Sequence, residues 1–151
     1  MSQTEMSAGD RMAAMRTALA FQRTRLAADR TLMSVQRTSL SLIGFGFTIF
    51  SFFRSLADKK LLNDAIPAEA PARFGLTLVA LGVCLLALGI ASHVSYMLQL
   101  RRQRVEEGMA EVLPPEPRLP VSLALVAAFT LLLFGLFVIL SLMARVGPFG
   151  A

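Results

Sequence analysis

Long apolar stretches alternate with polar segments along this chain. Three of these stretches carry almost no charge: residues 39–53, 74–100 and 119–144, with 15, 27 and 26 residues. A helix needs about 20 apolar residues to cross a bilayer, so the second and third stretches are long enough, and the first is if it starts near residue 31. The pattern therefore predicts three membrane-spanning helices, over residues 31–53, 74–100 and 119–144.

The segment before the first span has a helical pattern and repeats every seven residues. Residues 11–43 contain no glycine or proline, and an Arg-Thr pair recurs four times in one register. Seven residues turn a helix by about 700°, so the four arginines form a single row about 30 Å long on one face. We predict that a basic N-terminal helix runs without interruption into the first span. The members of this arginine row are Arg16, Arg23, Arg30 and Arg37.

Composition agrees with an all-α integral membrane protein of three transmembrane helices. The chain is 55% hydrophobic and its mean hydropathy is +0.62, which is too apolar for an ordinary soluble domain. Residues 1–10 have little periodicity and are expected to be disordered. Residues 11–145 are expected to form one three-helix membrane domain, followed by a short tail at 146–151.

The distribution of basic residues predicts the orientation in the membrane. The segments 1–38 and 101–118, which lie on one side of the predicted membrane, hold ten Lys and Arg residues, whereas 54–73 and 145–151 hold five. The positive-inside rule then places the N-terminus in the cytoplasm and the C-terminus outside.

The net charge of +5 and the arginine row indicate an anionic partner. Arginine fits phosphate because its charge is fixed and its donors form a planar fork. The candidates are a phosphate polymer and anionic lipid. Nucleic acid is disfavoured because Phe21 is the only aromatic residue in the basic segment. An alternative is that the arginines lie in the lipid headgroup layer and only set topology.

Glycines mark the expected helix contacts. Gly75, Gly82 and Gly89 recur every seven residues in the second span, and glycine lets membrane helices approach closely. Gly44 and Gly46 are also predicted to serve helix packing, with a local bend as the alternative. The seven-residue period is typical of left-handed packing, either between subunits of a homo-oligomer or within one bundle.

Few titratable groups accompany the arginines. Asp29 is predicted to pair between helices or between subunits, with Arg25 one turn earlier or with an arginine of a neighbouring copy. His93 is expected to anchor the second span at the interface, or to sense protons or contact an anion. No catalytic constellation, phosphate-cradling loop or paired Cys/His spacing is present, so we expect no enzyme activity, no metal and no cofactor.

Residues 26–47 resemble the signature of the YidH-like family, a domain of unknown function found in small bacterial inner-membrane proteins with three spans. They read Leu-Ala-Ala-Asp-Arg-Thr-Leu-Met-Ser-Val-Gln-Arg-Thr-Ser-Leu-Ser-Leu-Ile-Gly-Phe-Gly-Phe. The same domain is similar to the membrane part of the fungal vacuolar transporter chaperone complex, which makes polyphosphate and moves it across a membrane. The resemblance therefore implies a multi-pass protein of the bacterial inner (plasma) membrane.

Individual positions of this segment also carry implications. The resemblance implies that Arg30 and Arg37 occupy the two basic positions that face an anionic path, and that Asp29 replaces the usual Glu. The sequence departs from the family pattern at Val35, where an aromatic residue is common. No catalytic domain is attached, so polymer synthesis by this chain alone is not expected.

Two functional hypotheses remain. The first is a homo-oligomeric membrane module that binds, and guides, a phosphate-rich anion through the arginine row. The second is a structural scaffold that binds other membrane proteins, while its basic helix binds acidic lipid headgroups.

Overall fold

The computed structural model describes residues 7–58, 69–106 and 122–146, all of which except Ser7 and Ser122 are helical. The helices are α1 (Ala8–Asp58), α2 (Glu69–Glu106) and α3 (Leu123–Val146). Each is long and apolar enough to cross a membrane, and no strand occurs in the described ranges. The predicted all-helical fold with three candidate spans is confirmed at this level.

α1 is a single helix of 51 residues, which corresponds to a length of about 76 Å. It begins before the predicted start at residue 11, because Ser7 caps it. The Ser7 hydroxyl accepts a hydrogen bond from the Asp10 backbone N–H at 3.2 Å and donates one to the Asp10 carboxylate at 2.8 Å. This capping pattern satisfies a free N–H of the first turn. Residues 8–10 therefore belong to α1, and the predicted disorder of residues 1–10 stays a prediction for residues 1–6, which lie outside the described part.

α2 is longer at both ends than the predicted span 74–100. It begins at Glu69, so Pro71 is the third residue of the helix. Proline is tolerated there because the N–H groups of the first turn have no partner within the helix.

α3 begins at Leu123, and the carbonyl of Ser122 accepts backbone hydrogen bonds from Leu125 and Val126 at 2.8 and 3.1 Å. Ser122 is therefore the N-cap residue of α3. Residues 119–121 of the predicted third span lie outside the described part.

Two glycines bring the backbones of α1 and α2 close together. A Cβ atom added to Gly46 would lie 2.6 Å from the Gly75 carbonyl oxygen, and one added to Gly75 would lie 2.7 Å from the Gly46 carbonyl oxygen. Both glycines are buried. Since lipid provides no hydrophobic drive for helix association, such backbone contact is a principal source of packing energy between the two helices.

The other glycines of α2 continue this interface. A Cβ at Gly82 would lie 3.0 Å from the Ser39 carbonyl oxygen, and one at Gly89 would lie 2.6 Å from Val35. Gly44 lies outside the interface: it is exposed, and a Cβ there would meet nothing within 4 Å. Gly44 and Gly46 face different directions because two residues turn a helix by about 200°.

α3 packs against the other two helices through a face of small and branched residues. A Cβ at Gly135 would meet Val83 of α2 at 2.7 Å and Ile43 of α1 at 3.2 Å, so all three helices meet there. The opposite face of α3 is rich in exposed Leu and Phe, as expected for contact with lipid. The buried α3 residues are Ala124, Ala128, Gly135, Val138 and Leu142.

Replacing Gly46 with alanine is expected to destabilise the bundle, because its new methyl group would collide with the Gly75 carbonyl oxygen and with the side chains of Leu78 and Val79. We expect a loss of about 1–3 kcal/mol in the free energy of unfolding, the usual cost of overpacking. The measurement is unfolding of the detergent-solubilised protein in sodium dodecyl sulfate, followed by circular dichroism.

Gly44→Ala is the matched control, because the same methyl group there meets no neighbour. Alanine favours a helix over glycine by up to about 1 kcal/mol, so this variant should be neutral or more stable. Equal destabilisation by the two substitutions would contradict the packing described above.

Candidate functional site

The arginine row lies on the face of α1 that points away from α2 and α3. All four of its members are exposed, whereas Leu32 and Ser39, which lie about 200° around the helix from Arg30 and Arg37, are buried. The exposed face also carries a parallel column of large apolar side chains, each four residues before an arginine. These are Met12, Leu19, Leu26 and Met33, with Leu40 continuing the column.

The depth of the arginine row follows from the contact between Asp29 and Ser122. Ser122 marks the level at which the apolar helix α3 begins, and Asp29 of α1 touches it. Arg30 is therefore close to this level, and Arg37 lies about 10 Å further towards the apolar layer. Arg23 and Arg16 lie about 10 and 20 Å beyond it on the opposite side.

The described part of the chain provides no acidic side chain paired with the arginine row. Asp29, which directly precedes Arg30, contacts His93 of α2 instead, with 3.5 Å between Oδ1 and Nε2. Arg25, which was predicted to pair with Asp29, is half-buried on the side of α1 that faces α2; this pairing stays a prediction. The guanidinium donors of the row are thus available to an external anion.

Asp29 joins the three helices at one point. Its Oδ1 lies 3.5 Å from Nε2 of His93 on α2 and accepts a hydrogen bond of 2.8 Å from the Ser122 hydroxyl. The His93 side chain is 6% exposed and that of Asp29 is 18% exposed. The carboxylate also lies at the N-terminus of α3, where the helix dipole stabilises negative charge. Asp29 therefore makes an inter-helix contact, to residues that the sequence does not reveal as partners.

Gln36 adds a second polar contact between α1 and α3. Its side-chain Nε2 donates a hydrogen bond to the backbone carbonyl of Ala124. Gln36 follows Asp29 by seven residues and lies on the same face of α1, so these two side chains hold the first turn of α3.

A groove with a volume of about 420 Å³ lies between α1 and α2 beside this contact. Leu32 and His93 are the buried residues of its lining, whereas Thr31, Ser92 and Tyr96 are exposed. On α1 it is lined by Thr24, Ala27, Ala28, Thr31, Leu32 and Val35. On α2 it is lined by Gly89, Ser92, His93 and Tyr96.

The hydroxyl groups on the two sides of the groove differ. Those of Thr24 and Thr31 donate to the carbonyls of Ala20 and Ala27, four residues earlier in α1, at 3.0 and 3.1 Å. Those of Ser92 and Tyr96 have no hydrogen-bond partner among the described residues and are exposed. The α2 side of the groove therefore provides the free hydroxyl donors.

Sequence reasoning missed Ser122, Gln36 and the role of His93 as the partner of Asp29. Two signals pointed to the first pair: a serine directly before an apolar stretch is a typical N-cap, and Gln36 is a polar residue within an apolar segment. The pairing with His93 had no such signal, because it depends on how α1 and α2 align. No cluster of His, Cys, Asp or Glu suited to a metal ion occurs within the described ranges.

Asp29 and His93 should be energetically coupled. Removing one partner with Asp29→Asn or His93→Gln leaves the other without its charge-assisted contact, so the double variant should lose less stability than the sum of the single variants. Coupling energies of about 0.6 kcal/mol are typical of polar contacts in membrane proteins. A double-mutant cycle of unfolding free energies measures this difference.

The matched control combines His93→Gln with Asp10→Asn, a carboxylate about 28 Å from Asp29 along α1. These two changes should be additive. If Asp29 and His93 are equally additive, their contact contributes nothing to the fold.

Comparison with known proteins gives a family but no activity. A family model described as "Domain of unknown function (DUF202)" matches residues 23–99, just over half of the chain. No curated protein and no solved structure showed a significant match to the chain.

The region that the family model matches contains three of the four row arginines, Asp29, His93 and the whole groove. The family match agrees with the YidH-like signature and gives no support to the similarity with the vacuolar transporter chaperone. The chain belongs to the DUF202 family.

Proposed function

We propose that the protein is a homo-oligomeric membrane protein that binds a phosphate-rich anion along the arginine row and guides it towards the membrane. The observation that carries the proposal is the row itself. Four guanidinium groups follow one exposed face of α1 for about 30 Å, and no acidic side chain among the described residues pairs with them. Each guanidinium can bind a phosphate through two parallel hydrogen bonds.

The length of the row favours an extended anion over lipid headgroups alone. The headgroup layer of one leaflet is roughly 5–8 Å thick, whereas Arg16 and Arg30 are about 21 Å apart along the helix axis. A helix standing upright in the membrane cannot place both ends of the row among headgroups. A linear polymer with regularly spaced phosphates can contact all four arginines.

Arg37 supports assembly into an oligomer. It is exposed on the outer face of α1 about 10 Å to the apolar side of the level at which α3 begins. An arginine facing hydrocarbon costs about 2.5–3.5 kcal/mol or more. A neighbouring copy of the chain that forms a polar path with it removes this cost. Three helices cannot enclose such a path alone.

The alternative is a membrane scaffold whose basic helix binds acidic lipid. Arg30 and Arg37 lie at depths where headgroups, or snorkelling towards them, satisfy their charge. Each basic residue near an anionic surface contributes about 1 kcal/mol. This alternative leaves Arg16 without a role, because it lies about 21 Å beyond Arg30 along α1.

The proposed setting is the bacterial inner membrane, with the N-terminus in the cytoplasm and no catalytic activity. The resemblance of residues 26–47 to the membrane part of a polyphosphate complex makes polyphosphate the first anion to test. Polyphosphate presents a line of phosphate groups, and each of these can accept two hydrogen bonds from one guanidinium of the row.

Arg16→Gln/Arg23→Gln is expected to weaken polyphosphate binding at least tenfold at about 100 mM salt. These two arginines extend furthest from the membrane and are therefore the most selective for a soluble polymer. Each lost phosphate contact should also reduce the slope of log affinity against log salt by about 0.7, the value for single-stranded polyanions. Fluorescently labelled polyphosphate, titrated across a salt series, measures both effects.

Arg101→Gln/Arg102→Gln is the charge-matched control, because it removes two exposed arginines of α2 that lie outside the row. It should lower the affinity by less than about threefold if the row, rather than net charge, binds the polymer. Loss of affinity by both double variants to the same extent would contradict the proposal. Binding to phosphatidylglycerol vesicles without polyphosphate binding would favour the scaffold, and a monomer in native mass spectrometry would exclude a path between copies.

A further inference from the structure

We propose that the groove between α1 and α2 is a binding site for one acidic phospholipid. The phosphate group lies at its mouth, beside Ala27, and an acyl chain lies against its floor, at Val35 and Gly89. The site uses the cleft between two helices rather than the length of the arginine row, and does not depend on the function proposed above. Its volume of about 420 Å³ is within the range of sites for small molecules.

The groove lies at the depth of lipid headgroups. His93, which lines it, contacts Asp29, and Asp29 contacts Ser122, the residue that precedes the apolar helix α3. If α3 spans the membrane from Leu123, the plane through these three residues is the boundary between headgroups and hydrocarbon.

Polarity changes along the groove in the order that an amphiphile requires. Gly89 and Val35 line its end towards the apolar layer, whereas Tyr96 and Thr24 line its end towards water. Gly89 and Tyr96 are seven residues apart, which is about 10 Å along α2. Val35 packs directly against Gly89, where a Cβ would lie 2.6 Å from it, and the two residues form an apolar wall at this end of the groove.

Hydrogen-bond donors are present where the headgroup would lie. His93 is more than nine-tenths buried, and its Nε2 faces Asp29. Its ring lines the groove, and the donors available to a headgroup are the neighbouring hydroxyl groups. The hydroxyls of Ser92 and Tyr96 lie one residue before and three residues after it and are free to donate.

The charge beside the groove matches an acidic lipid. Arg23 precedes Ala27 by four residues and Arg30 follows it by three, so both are surface neighbours of Ala27 on the helix. Both are exposed. Asp29 also lies nearby, but its carboxylate already binds His93 and Ser122. The guanidinium pair therefore outweighs the one acid and favours phosphate over a neutral ligand.

The test is a titration of the purified full chain in detergent with dioleoylphosphatidylglycerol and, separately, with dioleoylphosphatidylcholine, followed by native mass spectrometry. We expect one phosphatidylglycerol per protomer to be retained at concentrations at which phosphatidylcholine is lost. Two variants fill the groove, Thr31→Phe and Ser92→Phe, and each should lower phosphatidylglycerol occupancy at least tenfold.

Each variant has a matched control. Thr38 is an exposed threonine of α1 with the same hydrogen bond to a carbonyl four residues earlier, and Ser95 is an exposed serine of α2; neither lines the groove. Thr38→Phe and Ser95→Phe should keep occupancy within twofold of the wild type. Circular dichroism and the elution volume in size-exclusion chromatography check that each variant is folded. If either Thr31→Phe or Ser92→Phe fails to fold, the other still tests the site.

Equal retention of the two lipids would overturn the proposal, as would a loss of phosphatidylglycerol that is the same in filled and control variants. Displacement of the lipid by inorganic phosphate at millimolar concentration would also overturn it, because it would make the site one for free phosphate. Polyphosphate binding is measured on the same variants. It should persist in Ser92→Phe, so a failure of the lipid site and a failure of the arginine row are separate results.

Discussion

The structure depends on the close approach of α1 and α2 at Gly46 and Gly75. Lipid chains are as apolar as the side chains of these helices, so the helices gain little by exchanging lipid contacts for each other, and close van der Waals packing has to supply the association. Two glycines facing each other bring the backbones together as no other pair of residues does. Gly82 and Gly89 then follow at intervals of seven in α2, opposite Ser39 and Val35 of α1. The glycines thereby fix both the distance between the helices and their antiparallel register.

The register of α1 and α2 determines the positions of the Asp29–His93 contact, the arginine row and the groove. Asp29 lies 17 residues before Gly46, about 26 Å along α1, and the register brings His93 opposite it. The same packing buries one face of α1, and the arginine row lies on the opposite, exposed face. Because the sequence of α1 repeats every seven residues, its buried and exposed columns remain separate over the whole contact. The groove lies along the edge between these two faces, with Ala27 shared between its lining and the neighbourhood of Arg23 and Arg30.

Local patterns in the sequence predict the elements but not the contacts between them. Apolar length alone predicts three spans, and periodicity predicts a continuous α1 with one row of arginines. The helix ends were less predictable because they do not depend on periodicity. Ser7 starts α1 through its hydrogen bonds with Asp10, and Pro71 fits into the first turn of α2 because the N–H that it lacks would have no partner there. The partners of Asp29 could not be predicted, since His93 and Ser122 are 64 and 93 residues away in sequence. Arg25 was the obvious choice only because it is one turn away on the same helix.

The continuity of α1 links the arginine row mechanically to the contact among the three helices. A helix of 51 residues without a proline transmits a force along its length, and the glycine interface makes α2 move with it. The first turn of α3 is joined to α1 by two polar contacts, from Asp29 to Ser122 and from Gln36 to Ala124, and Gly135 packs α3 against both other helices further along. Both contacts lie between Arg23 and Arg37 in depth. The glycine-packed pair of α1 and α2 is therefore the more closely joined part of the bundle, and these polar contacts fix the first turn of α3 against it.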